Sequence, residues 1–177
     1  LAASAGRVHF AVHGVFDPLA PLESGLLLRP DAHAAGAAAD GLLQVWEIFD
    51  AWRTPADLVT LSGCDTGQGS ALAEEGLLGL TRAFHFAGAR HVVASLWSIS
   101  DRSTALLMTR FYEQLASGLP VDLALQAAQL SLLHQTMSEA GSGAAAAQRG
   151  VGGLSAAPRD GRAERDWTWA AFQVFGG

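Results

Sequence analysis

DLVTLSGCDTGQGS, Asp57 to Ser70, is the stretch on which the fold is read. Its first part, Asp57–Ser62, is a short apolar run behind Pro55, the pattern of a core strand. Its second part, Gly63–Ser70, is built of small and polar residues and reads as a loop. Helical spacing follows over Glu74–Ala87, with Leu77, Leu80, Thr81 and Phe84 on one side, and RHVVASL (Arg90–Leu96) reads as the next strand. Strand, loop, helix, strand is the repeating unit of a parallel sheet, where functional groups collect at the carboxyl ends of the strands. Cys64 lies just past such an end.

Working outward, Arg7–His13 (RVHFAVH) reads as a further core strand that stops at Gly14. Val15–Glu23 carries two prolines and an aspartate and reads as a loop. Gly25–Arg29 and Gly41–Gln44 read as a short strand pair, and Val45–Trp52 as a short helix. Ser103–Ala116 is a helix, with Leu107, Phe111 and Leu115 four apart and a stop at Gly118. Pro120 is placed in the first turn of the next helix, which is expected to run to about Leu133. Trp167–Phe175 reads as a last strand. Between them, residues 138–165 are rich in Gly, Ala and Ser, with four arginines and almost no large apolar groups, and read as a flexible insertion. The expected architecture is an α/β sandwich with a mostly parallel central sheet, in one domain spanning residues 1–177.

Composition narrows the chemistry. Half of the residues are hydrophobic and 16% are charged, which is globular rather than disordered. No apolar run reaches the roughly 20 residues a membrane span needs. The net charge of −6, without a basic stripe, argues against direct contact with nucleic acid. All 11 positive charges are arginines, so a Schiff-base lysine, a P-loop lysine and a Ser–Lys dyad are excluded. The single cysteine excludes an internal disulfide and a Cys-rich zinc site, and an unpaired thiol fits a reducing, cytoplasmic location. The chain opens on Leu1, so it is expected to be a piece of a longer protein.

If the strands of His13 and Cys64 are parallel neighbours, both residues reach the same sheet edge. Thiols attack as thiolates, and a histidine within reach takes the proton and returns it to the leaving amine. Cys64 follows Gly63 and His13 precedes Gly14, so the backbone at both positions can approach a substrate closely. The N–H groups of Gly14 and Cys64 would together hold the oxyanion of a tetrahedral intermediate, a contribution of about 3–4 kcal/mol per donor. A lone cysteine is also often a small buried hydrophobe, and a lone strand-end histidine is often structural. Spacing by itself leaves both readings open.

VHFAVHG, DLVTLSGCDTGQG, GLLGLTRAFHFAGARHVVASLWSISDRST, FYEQLASGLPVDLALQAAQLSLL and WTWAAFQVFG, in that order, resemble the blocks of a CHAT domain. CHAT domains are caspase-like cysteine peptidase domains of the clan that holds caspases, separases and gingipains. The resemblance implies a three-layer α/β/α sandwich and a cysteine endopeptidase with His13 and Cys64 as its catalytic dyad. It implies a protein or peptide substrate, no cofactor, a place in bacterial signalling or defence, and control by sensor or repeat regions upstream. A catalytically idle interaction module on the same fold is the alternative. The usual block is Ser-Ala-Cys-Glu-Thr-Gly; this chain has Gly63 for Ala and Asp65 for Glu, both expected to be mild changes.

By the same resemblance, Ser95, Leu96 and Trp97 line the P1 pocket and pair with an extended peptide. Asp101 would hold a basic P1 side chain. The competing role is helix capping, by Ser100 or Asp101. Asp17 and Glu23 are alternative pocket acids, and Trp46 and Trp52 suit core positions. Asp65, next to Cys64, is poorly placed to orient His13 and is given no role. His9 and His13 would share a strand face, but no third ligand is evident and no metal is assigned. Gly67-Gln68-Gly69 lacks the patterns of a phosphate cradle. Arg149, Arg159, Arg162 and Arg165 make 138–165 a candidate autoprocessing segment, with a plain solvated loop as the alternative.

Overall fold

In a computed structural model, residues 6–17, 19–30, 40–53, 56–63, 71–97, 99–147 and 167–176 are described. They fall into two units, one of residues 1–98 with 172–177 and one of residues 99–171. The strands of the first unit are β1 (Arg7–Phe10), β2 (Gly14–Val15), β3 (Gly25–Leu27), β4 (Leu42–Gln44), β5 (Leu58–Leu61), β6 (His91–Ser95) and β7 (Phe172–Phe175). Its helices are α1 (Val45–Ala51) and α2 (Ala71–Phe86).

The larger sheet has the order β1-β5-β6-β7. β5 is buried along its whole length, which is why its four residues read as a run without polar alternation. β1 joins it in parallel, with Arg7 opposite Leu58 and Phe10 opposite Leu61. β6 joins its other side in parallel, with Leu58 opposite His91 and Leu61 opposite Ala94. β7 closes that side antiparallel to β6. The fold is therefore α/β with a mostly parallel sheet, as the alternation of elements predicts.

Helix α2 carries the crossover from β5 to β6 and buries Leu77, Leu80, Thr81, Ala83 and Phe84. Those positions recur at helical spacing, so one stripe of α2 enters the core. Phe84 meets Phe10 of β1 and Trp52 after α1 with ring centroids 5.5 and 5.6 Å away, and Phe10 and Trp52 are 5.6 Å apart. Trp52 thus belongs to the core cluster, whereas Trp46 is exposed and donates its indole N–H to the Gln44 side chain. A capping box starts α1, with the buried Glu47 carboxylate accepting from the Gln44 N–H at 2.7 Å.

β2, β3 and β4 form a separate antiparallel sheet. It corrects the first strand reading. β1 stops at Phe10, and His13 lies three residues farther on, where its carbonyl accepts from Leu27 N–H at 2.9 Å. The chain has by then left the large sheet for the small one, and Val15, read as loop, is a strand residue of β2.

The second unit pairs α3 (Asp101–Ala116) with α4 (Val121–Ala147). α3 buries Leu107, Met108, Phe111 and Leu115. Gly118, at φ +95, makes the left-handed turn between the helices. Pro120 sits one residue ahead of α4 rather than in its first turn, and its carbonyl accepts from Ala124 N–H. α4 runs far past Leu133. Residues 138–147 include five alanines, the strongest helix former, which carry the helix across Gly141 and Gly143. The first ten residues of the segment read as an insertion are therefore helical; residues 148–166, with the four arginines, lie outside the described residues. A 3-10 turn at Thr168–Ala170 takes the start of the expected last strand, leaving β7 shorter.

Candidate active site

His13 stands exposed between β1 and β2. Cys64, with Asp65 and the rest of 64–70, lies outside the described residues, so the geometry of the pair is built from its neighbours. The β1–β5 ladder continues beyond β5: Ser62 N–H donates to the Phe10 carbonyl at 2.9 Å. One step on, Gly63 is pressed against Val12. A Cβ at position 63 would overlap the Val12 carbonyl oxygen and come within 2.7 Å of its carbonyl carbon and amide nitrogen. The residue before Cys64 thus abuts the residue before His13. Alanine in place of Gly63 is not the mild exchange expected from the motif, because the space for its methyl is taken by backbone.

A second link joins the same two strands. His9 Nε2 and Ser62 Oγ are hydrogen-bonded at 2.6 Å. Burial of the His9 ring lowers its pKa from the ordinary 6.5, favouring the neutral form. His9 thus meets Ser62 across the two strands. Among the described residues no group of three His, Cys, Asp or Glu side chains converges as metal ligands would.

The ladder of the small sheet fixes Gly14. Leu27 N–H bonds the His13 carbonyl, and Gly14 stands opposite Leu26. In an antiparallel ladder this makes Gly14–Leu26 the pair that exchanges no hydrogen bonds, so the Gly14 N–H points away from β3. Asp17 then turns the chain: its carboxylate accepts from Leu19 and Ala20 N–H at 2.8 and 3.2 Å, and its own N–H donates to the buried Ser24 hydroxyl. Asp17 shapes this loop, which argues against it as a pocket acid. Glu23 is exposed in a 3-10 turn, and its carbonyl accepts from the Gln44 side chain.

Just before Asp17 lies a contact the sequence reading missed. Gly76, buried in α2, receives the Phe16 ring. A Cβ there would overlap Phe16 Cδ1 and fall within 3.1 Å of Cγ and Cε1. A glycine inside a helix costs about 1 kcal/mol against alanine, so its presence in an otherwise regular stripe was a readable sign of close packing.

The residues expected to meet substrate divide between the units. Ser95 is buried and its hydroxyl donates to the Trp97 carbonyl at 2.6 Å, bending the chain out of β6. Leu96 is half-buried and Trp97 is 36% exposed. In the second unit, Ser100 is the cap of α3: its Oγ accepts from Ser103 N–H. Asp101 is the exposed first residue of the helix, and its carboxylate is not the cap.

Among the described residues no helix is long and apolar enough to cross a membrane. The model of the CHAT domain family matches residues 1–177, the whole chain. Tetratricopeptide repeat protein 28 of Homo sapiens is 34% identical over 84 residues, which is 48% of this chain and 3% of that protein. The protein of the same name from Mus musculus matches to the same extent. The chain thus spans a small fraction of the length of these curated relatives.

Proposed function

The chain belongs to the CHAT domain family, a caspase-like family related to cysteine peptidases, and from that premise we propose that it is a cysteine endopeptidase working through His13 and Cys64. The observation that carries the reading is the contact between Val12 and Gly63, the residues preceding the two catalytic positions. His13 takes the thiol proton of Cys64. The thiolate adds to the substrate carbonyl carbon, and the oxyanion is held by the N–H groups of Gly14 and Cys64. Supporting this, the small sheet leaves the Gly14 N–H unused by the ladder. The tetrahedral intermediate collapses to a thioester as the amine leaves with the proton from His13. Water, deprotonated by His13, then releases the acid and restores the thiol.

Ser95, Leu96 and Trp97 form the substrate strand of this reading, and Asp101 recognises a basic P1 side chain. Support for Asp101 comes from Ser100, which takes the capping role that competed for it. The second reading is a CHAT module that binds partners without turnover. It draws on the relatives, both named for tetratricopeptide repeats, whose stacked helices offer extended binding surfaces. On either reading, repeat regions outside this chain would bring the protein partner.

Cys64→Ala separates the two. A peptide-library screen should show cleavage by the wild type and a loss of at least about a hundredfold in Cys64→Ala and in His13→Ala, the scale of a lost general base. Cleavage retained by Cys64→Ala rejects the peptidase reading. An unreactive Cys64 toward a peptidyl electrophile between about pH 6 and pH 9, the range spanning the ordinary histidine and thiol values, favours the binding module.

A further inference from the structure

Two glycines flank the segment that carries Cys64. Gly63 precedes it at the end of β5, and Gly76 follows it in α2. Neither has the positive φ that would demand glycine; among the described glycines that holds for Gly41, Gly88, Gly118 and Gly176. What excludes a side chain at 63 and 76 is space, and in both places the space is filled from the same short stretch, Val12 and Phe16, on either side of His13. Gly79, one turn along α2, provides the internal contrast. A Cβ there would meet only Val45 methyls at 3.8 and 4.0 Å, an ordinary contact.

We propose that Gly63 and Gly76 are positioning residues: sockets that lock the His13 stretch, through Val12 and Phe16, to the structure on both sides of Cys64, and so set the distance between base and nucleophile. The inference rests on the dyad reading above and deepens it. Gly63 is filled by backbone, which no substitution can trim. Gly76 is filled by a side chain, so its socket can be exchanged from both sides. Gly76→Ala adds a methyl where Phe16 Cδ1 lies; Phe16→Val removes Cδ1 with Cδ2, Cε1, Cε2 and Cζ. Each change alone spoils the fit, and in the two together the added methyl has room and fills part of the space that the ring leaves.

The readout is the pH profile of alkylation by iodoacetamide, which reports the thiolate of Cys64 alone because the chain has 1 cysteine. In the wild type, pairing with His13 should place the apparent pKa below the ordinary thiol value of about 8.5. His13→Ala should raise it to that value. Gly76→Ala and Phe16→Val should each raise it by about one unit, read as a roughly tenfold slower reaction at neutral pH, because a displaced base stabilises the thiolate less. Gly76→Ala/Phe16→Val should bring the profile back toward that of the wild type relative to either single variant, and Gly79→Ala should not move it. Circular dichroism and melting show which variants are folded; should Gly76→Ala not fold, Phe16→Val and the double variant decide. If His13→Ala shifts the profile while folded Gly76→Ala or Phe16→Val does not, or if the double variant lies no closer to the wild type than the single variants, the socket inference alone is overturned. If His13→Ala leaves the profile unchanged, the dyad reading fails first and takes the inference with it.

Discussion

At the carboxyl end of β5 the chain is held by residues far away in sequence, whereas past β6, where Ser95 still pairs with Phe172, hydrogen bonds between near neighbours turn the chain. Ser62 bonds His9 across a separation of 53 residues, Gly63 abuts Val12, and Phe10 rests on Phe84 and Trp52. After β6, Ser95 bonds the carbonyl two residues on, and Ser100 caps α3 through a residue three on. The first arrangement transmits any change in packing to the surroundings of His13. The second adds bends whose hydrogen bonds run between near neighbours. On the proposed reading, His13 and Cys64 need their separation fixed to a fraction of an ångström, and long-range contacts are what fix it. On the same reading, the segment after β6 meets peptides and needs a defined course.

Three substitutions would break or sharpen this contrast. The largest effect is expected from Phe84→Ala. It empties the centre of the Phe10–Trp52–Phe84 cluster, and the chemical-denaturation midpoint should report a loss of about 3–5 kcal/mol. Ser100→Ala should cost less, about 1 kcal/mol, the usual value of a helix cap. It should leave thiol reactivity at Cys64 unchanged, since the cap acts within α3. Should Ser100→Ala prove the costlier of the two, the distinction between long-range and local support would not stand.

The smallest effect belongs to His9. Its pKa is lowered by burial in the folded state, so the unfolded chain binds more protons on the acid side of the ordinary 6.5. Stability is then highest above that value, declines as pH falls through the folded-state pKa, and levels off once both states are protonated. His9→Asn should flatten this limb in urea midpoints measured across the range. An unchanged slope would show that burial of the His9 ring is not linked to folding.

Much of the scaffold was legible from local pattern. The β3–β4 pair, α1 and α3 fall within two residues or so of where composition and spacing put them, because caps, turns and apolar periodicity are properties of neighbouring residues. At element ends the expectation and the structure differ, through a long-range partner at His13 and through near neighbours at α4 and α3. His13 was placed at the end of β1, yet its carbonyl is claimed by Leu27 of the small sheet. The helix after Pro120 is expected to run to about Leu133, yet a run of alanines carries α4 on to Ala147. Asp101 and Ser100 competed for one cap, and the geometry gave it to Ser100.

The sequence by itself determined the alternation of strands and helices, hence the mostly parallel sheet, and it ordered the motif blocks that place the chain in its family. It also put His13 and Cys64 beyond strands expected to be neighbours. The tertiary structure decided how closely those strand ends approach. Gly63 reads in the sequence as a residue interchangeable with alanine, and Gly76 as a weak point in a helix. Only when Val12 and Phe16 are brought against them, from more than fifty residues away, do both become positions where a single methyl has nowhere to go. Periodicity is written in adjacent residues, whereas distance of approach is a property of two surfaces and exists only once they meet.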